Sequence, residues 1–110
     1  MGFFKAVKKF FGFGTNGPRW TPPPQAMFYF SQPDNWKTVT GSTNIVGVAY
    51  FSSVERGVKS CLGVRFLGSG QFYVYDCPIS YLTGMLAASS RGTWFWENIR
   101  RSNIPFAGPF

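Results

Sequence analysis

The sequence predicts an α+β fold: a small three-stranded antiparallel meander with two short C-terminal helices, preceded by an extended N-terminal arm that carries a short amphipathic helix. Two patterns support this class. Apolar residues alternate with other residues after residue 41, which is the period of half-buried strands. After residue 78 they recur at helical spacing. The 110 residues suffice for one core. We therefore divide the chain into an arm and Pro-rich connector, residues 1–40, and a module with a short tail, residues 41–110.

The arm begins with an amphipathic segment, residues 1–12, which we call the leader. Its apolar side chains follow the i, i+1, i+4, i+7, i+8 spacing of one helical face. They are Phe3, Phe4, Val7, Phe10 and Phe11. Gly12 is placed to end the helix as a left-handed cap. A helix of about ten residues is marginal alone in water, so we expect this face to lie on something.

A partner protein is the expected cover for the leader. Burying its five apolar side chains would contribute roughly 8–12 kcal/mol as an upper bound. Its three lysines would add roughly 1 kcal/mol each near an anionic surface, so the apolar contribution dominates. Bare nucleic acid offers no matching apolar groove, so a protein groove or a bilayer interface fits better. The alternative is that the leader folds back onto its own module.

Residues 13–40 are predicted to form an extended connector. Pro22, Pro23 and Pro24 favour a stiff polyproline II strut. The following stretch is rich in aromatic residues, and residues 27–30 form either a short strand or an apolar strap along the module. Trp20 is expected to join the leader in contacting the partner.

The module is predicted to contain three strands followed by helices. The strand segments are residues 44–51, 62–66 and 71–76. The loop Gly68-Ser69-Gly70 joins the last two as a hairpin. Pro78 opens a first helix, whose apolar residues at helical spacing are Ile79, Leu82, Met85 and Leu86. A second helix is predicted from about Thr93 to Arg101, and the Pro- and Gly-rich tail is expected to lack regular structure.

Several short motifs follow one another in residues 41–101. They are Ser42, Ile45 and Tyr50; Leu62, Val64 and Phe66; Tyr73 and Tyr75; Pro78 and Tyr81; and Ser90, Arg91, Gly92, Trp94, Phe95, Ile99 and Arg100. In this order they resemble the KTSC domain, a module found at the C-terminus of some lysyl-tRNA synthetases and alone in small bacterial and phage proteins. Trp96 stands where an Asn is common in that family, and the loop before Leu62 is longer than usual. The resemblance implies an interaction module, with RNA binding suggested by the synthetase context.

The composition argues against an enzyme. The chain has no histidine, which removes the commonest general base and metal ligand. Its four carboxylates are scattered singly, and its two cysteines are too few for a structural zinc site. We therefore expect no catalytic residue, no metal, no cofactor and no small-molecule substrate.

The formal charge of +7 leaves nucleic acid as an alternative partner. Tyr73 and Tyr75 point to the same face of their strand. They form either a stacking platform for bases or ordinary core packing, and we favour packing. Arg65, on the neighbouring strand, would touch phosphate in the first case. Arg91, Arg100 and Arg101 form a second basic group, which either binds phosphate or complements the ends of helices.

Cys61 and Cys77 flank the predicted hairpin. With a three-residue loop they would lie opposite each other, so a cross-strand disulfide is geometrically conceivable. Reduced, packed thiols are the expectation for a protein made in the cytosol. No run of apolar residues reaches the roughly 18 needed for a membrane-spanning helix. The leader's lysines also interrupt any signal-peptide core, and Ala6 departs from the myristoylation pattern.

These inferences predict a non-enzymatic structural protein that docks onto other protein subunits of a large assembly. Stand-alone relatives of the resembled family occur in phages, so the predicted assembly is a phage virion put together in the host cytoplasm. The chain would then be a minor capsid, decoration or connector protein. The first alternative is a small cytoplasmic module that binds RNA or single-stranded DNA. The second is a peripheral membrane protein whose leader lies in the interface.

Overall fold

The computed structural model describes residues 16–110, in which five strands form one antiparallel sheet. The leader lies outside the described residues. The strands are β1 Lys37–Thr38, β2 Ile45–Phe51, β3 Cys61–Phe66, β4 Phe72–Tyr75 and β5 Phe106–Ala107. Each pairs with the next in chain order, which makes the sheet a meander. The α+β class is confirmed, and the three predicted strands are its centre, β2 to β4. The prediction omitted the two short edge strands.

Helices cover both faces of the sheet. They are α1 Pro24–Phe30, α2 Ile79–Ala87 and α3 Arg91–Phe95, which continues as a π-helical turn over Trp96–Arg100. A 3-10 turn, Pro33–Asn35, connects α1 to β1. The two C-terminal helices were predicted from the sequence. Helix α1 was not.

The prediction of a polyproline II strut is wrong at Pro24, the last residue of the predicted strut. Pro24 occupies the first position of α1, where the missing N–H of proline costs nothing and its fixed φ suits a helix. The run of prolines therefore starts a helix. Residues 27–30 lie in that helix, and all of them except the exposed Phe28 pack against the sheet, so the apolar-strap alternative is correct and the strand alternative is wrong.

The face of the sheet toward α2 and α3 holds the larger core. The strand residues predicted from alternation, Leu62, Val64 and Phe66, all point into it. Other buried members are Ile45, Val48, Tyr73, Tyr75, Met85, Phe95 and Ile99. The period-2 pattern of β3 thus sets which side chains face the C-terminal helices.

The opposite face packs against α1. Ala26 and Phe30 of the helix are buried there against Ala49, Cys61 and Val74. Aromatic rings close the edges of this second core: Trp20, Tyr29, Trp36, Phe51 and Phe72. The described part of the predicted connector, residues 16–40, is therefore part of the folded body.

Gly63 of β3 lies directly beneath this aromatic layer. A Cβ at this position would stand 2.9 Å from both Phe30 Cε1 and Trp36 Cη2. We expect Gly63→Ala to lower the free energy of unfolding by about 1–3 kcal/mol, because the rings must shift within a packed core. Gly47→Ala is the matched control, since its Cβ would meet nothing closer than 3.6 Å.

The Gly47→Ala control should be neutral or stabilise by about 0.5 kcal/mol, because alanine loses less conformational entropy in a strand. Urea unfolding of the two variants and the parent chain measures the difference. Equal stabilities for the two alanine variants would contradict this packing.

The β3–β4 hairpin differs from its prediction by one residue. Leu62 pairs with Tyr75, and the Phe66 N–H donates to the Gln71 carbonyl at 3.0 Å. The connecting loop therefore has four residues, 67–70, where three were predicted. This register places Cys61 and Cys77 in the cores on opposite faces of the sheet. The expected juxtaposition is wrong, and both cysteines are free thiols, as favoured.

The tail, predicted to lack regular structure, adds the last strand. The residues of β5 pair with Val74 and Tyr75 of β4. Phe110 then exchanges two backbone hydrogen bonds with Phe72, at 2.9 and 3.2 Å. A strand of two residues carries no periodic signal, which is why the pattern missed it.

The described chain begins beside this tail. The Asn16 N–H donates to the Arg100 carbonyl at 2.8 Å, and its side-chain amide donates to the Arg101 carbonyl. The Trp20 N–H then donates to Phe106, and the Phe106 N–H donates to Pro18. Residues 18–20 thereby flank β5, so the chain enters the module at the edge of the sheet opposite to β1.

Candidate interaction surface

The predicted partner-binding residues are divided by the limit of the described chain. Phe3, Phe4, Val7, Phe10 and Phe11 all lie outside it. Trp20 is described, and its half-buried ring packs against the core beneath α1. Only part of this ring remains for a partner.

Of the two interpretations of Tyr73 and Tyr75, the base-stacking platform is wrong. Tyr73 and Tyr75 are buried in the core that faces α2 and α3. The Tyr75 ring meets Phe95 edge-on at 5.6 Å, and the Tyr73 ring meets Phe66 at 5.9 Å. Burial raises the pKa of both phenols. The packing alternative is confirmed, because neither ring offers a face to a base.

Arg65 lies on the other face of the sheet from these tyrosines. Its guanidinium stacks over the Trp36 ring at 4.4 Å and over the Phe72 ring at 5.0 Å. It also donates to the Gly70 carbonyl in the hairpin loop. Arg65 and the tyrosines therefore do not form a common surface for nucleic acid.

The other three arginines do not form one open cluster. Arg91 donates to the Thr40 carbonyl at 2.8 Å and to the Leu86 carbonyl at 3.2 Å, which ties the end of α2 to the loop before β2. Arg100 is buried with its guanidinium 4.4 Å from the centre of the Trp96 ring, and burial lowers its pKa. Arg101 is exposed. The helix-end alternative fits Arg91, and Arg100 has a packing role.

Residues from the first and last of the family-like motifs, Ser42, Ser90 and Gly92, line a small polar pocket. It has a volume of about 290 Å³ and lies between the loop before β2 and the start of α3. Ser42 Oγ accepts from the Ile45 N–H at 3.1 Å, and Ser90 Oγ accepts from the Thr93 N–H at 3.4 Å. These hydroxyls cap the beginnings of β2 and α3, so their hydrogen bonds already serve the fold.

An apolar groove runs along the β1 edge of the sheet, and we call it the β1 groove. Its volume is about 320 Å³. It lies between α1, whose Tyr29 forms one wall, and α2, which forms the other. Its main apolar lining is Val39, Val48, Tyr50, Ile79, Leu82 and Leu86.

The side chains of α2 in this groove are accessible. Ile79 is 54% exposed and Leu86 is 38% exposed, although both are large and apolar. The sheet is also short of a partner here, because β2 pairs with β1 only at Gly47 and Val48. An open apolar wall beside a minimal edge strand is a surface suited to docking.

The sequence indicated an apolar helix face at this surface, but its periodicity alone did not separate the buried residue from the accessible ones. Ile79, Leu82, Met85 and Leu86 were placed together on one helical face. In the structure Met85 is fully buried against the sheet, and Ile79, Leu82 and Leu86 form a separate stripe at i, i+3 and i+7. The apolar face of α2 is therefore wider than the part of it that packs against the sheet.

Residues 16–110 contain no group of three potential metal ligands among His, Cys, Asp and Glu. Asp76 forms a salt bridge with Lys59 at 3.2 Å. Within this part of the chain, no helix has the length and apolar character to cross a membrane.

Comparisons with models of protein families, with curated proteins and with solved structures found no match. The resemblance to the KTSC domain therefore stays a prediction from the motifs.

Proposed function

We propose that this chain is a non-enzymatic interaction protein that docks onto other proteins of a larger assembly through its leader. The observation that carries the proposal is that helices already cover the sheet of the folded module. Both faces of the sheet are already covered, one by α1 and the other by α2 and α3. The leader's five apolar side chains thus have no vacant sheet face of their own to cover.

The junction with the leader supports docking as well. Asn16 is held to the π-helical turn by two hydrogen bonds, and residues 18–20 are held to β5. The chain is therefore anchored on the folded module from Asn16 onward, and the three residues Phe13, Gly14 and Thr15 separate Asn16 from the end of the leader. A partner that held the leader would thus lie near this anchored edge of the module.

The remaining features of the described surface favour protein over nucleic acid. The aromatic rings proposed for base stacking are buried, and the arginines proposed for phosphate contact are dispersed over different faces. Sequence-tolerant binding of single strands needs exposed rings next to a basic track. The apolar surface that does remain open, the β1 groove, is suited to a protein segment.

For the assembly itself we propose a phage virion, put together in the host cytoplasm. This rests on the resemblance to stand-alone phage modules and on the docking leader. The chain would be a minor capsid, decoration or connector protein, and its partners would be neighbouring protein subunits.

Substitutions in the leader test this proposal. We expect Val7→Asp combined with Phe10→Asp to reduce co-sedimentation of the chain with its native particle by about tenfold or more, because each buried apolar side chain contributes roughly 1.5–3 kcal/mol. Phe28→Asp is the control, because this side chain of α1 is 71% exposed and lies outside the leader. The control should co-sediment like the parent chain.

Limited trypsin digestion can contradict the proposal that the leader docks onto another protein. The leader of the free chain should be cleaved at Lys5, Lys8 and Lys9, and the same bonds should be protected in the particle. A monomeric chain whose leader resists trypsin would overturn the proposal. Flotation of the chain with anionic vesicles, lost in the leader variant, would instead identify a membrane as the docking surface.

A further inference from the structure

We infer that the β1 groove of one copy of this chain receives the leader of a second copy. The inference rests on the proposed function, whose docking segment it uses, and it names the partner of that segment. The groove and the leader match in character. One is an open cleft lined by aliphatic and aromatic side chains, and the other is a short segment with one apolar face.

The accessible stripe on α2 fits a helical partner. Ile79, Leu82 and Leu86 stand at i, i+3 and i+7, which is the spacing of one side of a helix–helix contact. The leader's apolar residues also recur at helical spacing, so a helical leader would supply the other side of such a helix–helix contact. Helix-in-groove docking uses such repeated anchors.

The dimensions of the sheet disfavour the groove of the same copy. The chain enters beside β5, whereas the groove lies at the β1 edge. The sheet is about 19 Å wide from β1 to β5, at roughly 4.8 Å per strand spacing. The chain between Gly12 and Asn16 spans at most about 14 Å. Because this span is shorter than the width of the sheet, we place the apolar face of the leader in the groove of a second copy.

The charges allow this contact and predict its salt dependence. Lys37 is the charged side chain in the lining of the groove, and no carboxylate lies among the described residues that line it. In a helical leader, Lys5, Lys8 and Lys9 would lie off the apolar face and would stay in solvent. Because both partners are basic, added salt screens repulsion and should strengthen association or leave it unchanged.

The geometry of the contact has a consequence for assembly. The leader leaves from the β5 side and docks at the β1 side of the next copy, so the two copies use different surfaces. Such a heterologous contact repeats head to tail, and it closes into a ring or continues as a filament.

Mixed disulfide trapping tests the inference with the full chain. One preparation carries Val7→Cys and the other carries Leu86→Cys. The native Cys61 and Cys77 remain, since both are buried. After oxidation of the mixture with oxidised glutathione, we expect a disulfide-linked dimer on a non-reducing gel. Leu67→Cys replaces Leu86→Cys in the control, because Leu67 is 64% exposed and lies in the hairpin loop away from the groove.

Sedimentation velocity provides the second measurement. Leu86→Asp should raise the concentration needed for self-association by about tenfold or more, since the side chain leaves an apolar contact. Leu67→Asp should leave it unchanged. A monomer at every concentration, with its leader open to trypsin and no cross-link, would overturn this inference and leave the proposed function standing. A protected leader in a monomer, with an intrachain disulfide in the Val7→Cys/Leu86→Cys double variant, would overturn both.

Discussion

Replacing Phe30 with alanine is expected to lower the free energy of unfolding by about 3–5 kcal/mol. Phe30 is the main anchor of α1 and is only 1% exposed. Its ring lies 5.8 Å from the Trp36 ring and 6.1 Å from the Phe72 ring, directly over Gly63. Alanine would leave a cavity between α1 and the sheet that this aromatic layer cannot close. Urea unfolding followed by tryptophan fluorescence measures the change.

Phe28→Ala is the matched control for this substitution. The same residue type stands two positions earlier in the same short helix, and 71% of it is exposed. Its loss should change stability by no more than about 0.5 kcal/mol. If Phe28→Ala and Phe30→Ala had equal effects, α1 would not be packed on the sheet as described. Such a result would favour the extended connector that the sequence predicted for this part of the chain.

The centre of the fold could be predicted because its residues carry strong periodic signals. Leu62, Val64 and Phe66 alternate with Gly63 and Arg65, whereas the partner strand β4 is a short run of aromatic and apolar residues throughout. Because successive side chains of a strand point to opposite faces of the sheet, placing one residue in the core fixes the face of every other residue in that strand. The predicted pairing of β3 with β4 was wrong by one residue, because Leu67 belongs to the hairpin loop together with Gly68, Ser69 and Gly70.

The second layer of the fold could not be predicted from local pattern. Pro24 is compatible with both a polyproline strut and the first turn of a helix, and tertiary packing of Phe30 decides between them. The two edge strands are too short to show any period. Their pairing depends on β2 and β4 already being in place, which is long-range information.

The candidate site was predicted in part. The burial of Tyr73 and Tyr75 follows from the same alternation that places Val64 in the core, so packing was correctly favoured. The β1 groove was missed, because it is formed by two stretches of chain about 40 residues apart, from Val39 and from Ile79 onward. Sequence spacing showed an apolar helix face without showing that the sheet covers only part of it. The leader lies outside the described residues, so its role as the docking segment stays a prediction.

The protein should also lose stability steeply above about pH 8.5, and the buried thiols are the reason. Burial, with a smaller contribution from the charge of Asp76, raises the pKa of Cys61 and of Cys77 to about 12. In the unfolded chain a thiol releases its proton near pH 8.5. Below that pH both states keep the proton, so the thiols add no pH dependence. Between about pH 8.5 and 12 only the unfolded state ionises, which favours unfolding as the pH rises.

The slope should approach about 1.4 kcal/mol per pH unit for each thiol, so the two together would remove up to about 4 kcal/mol between about pH 8 and 10. Urea unfolding at a series of pH values measures it. Cys77→Ala should halve the slope that the thiols cause, and the Cys61→Ala/Cys77→Ala double variant should nearly abolish the slope up to about pH 9. Above that pH, ionisation of unfolded tyrosines begins to act through Tyr50, Tyr73 and Tyr75, whose pKa values burial also raises. A double variant that keeps the full slope between about pH 8 and 9 would show that the thiols are not its source, and that these two thiol side chains reach solvent in the native protein.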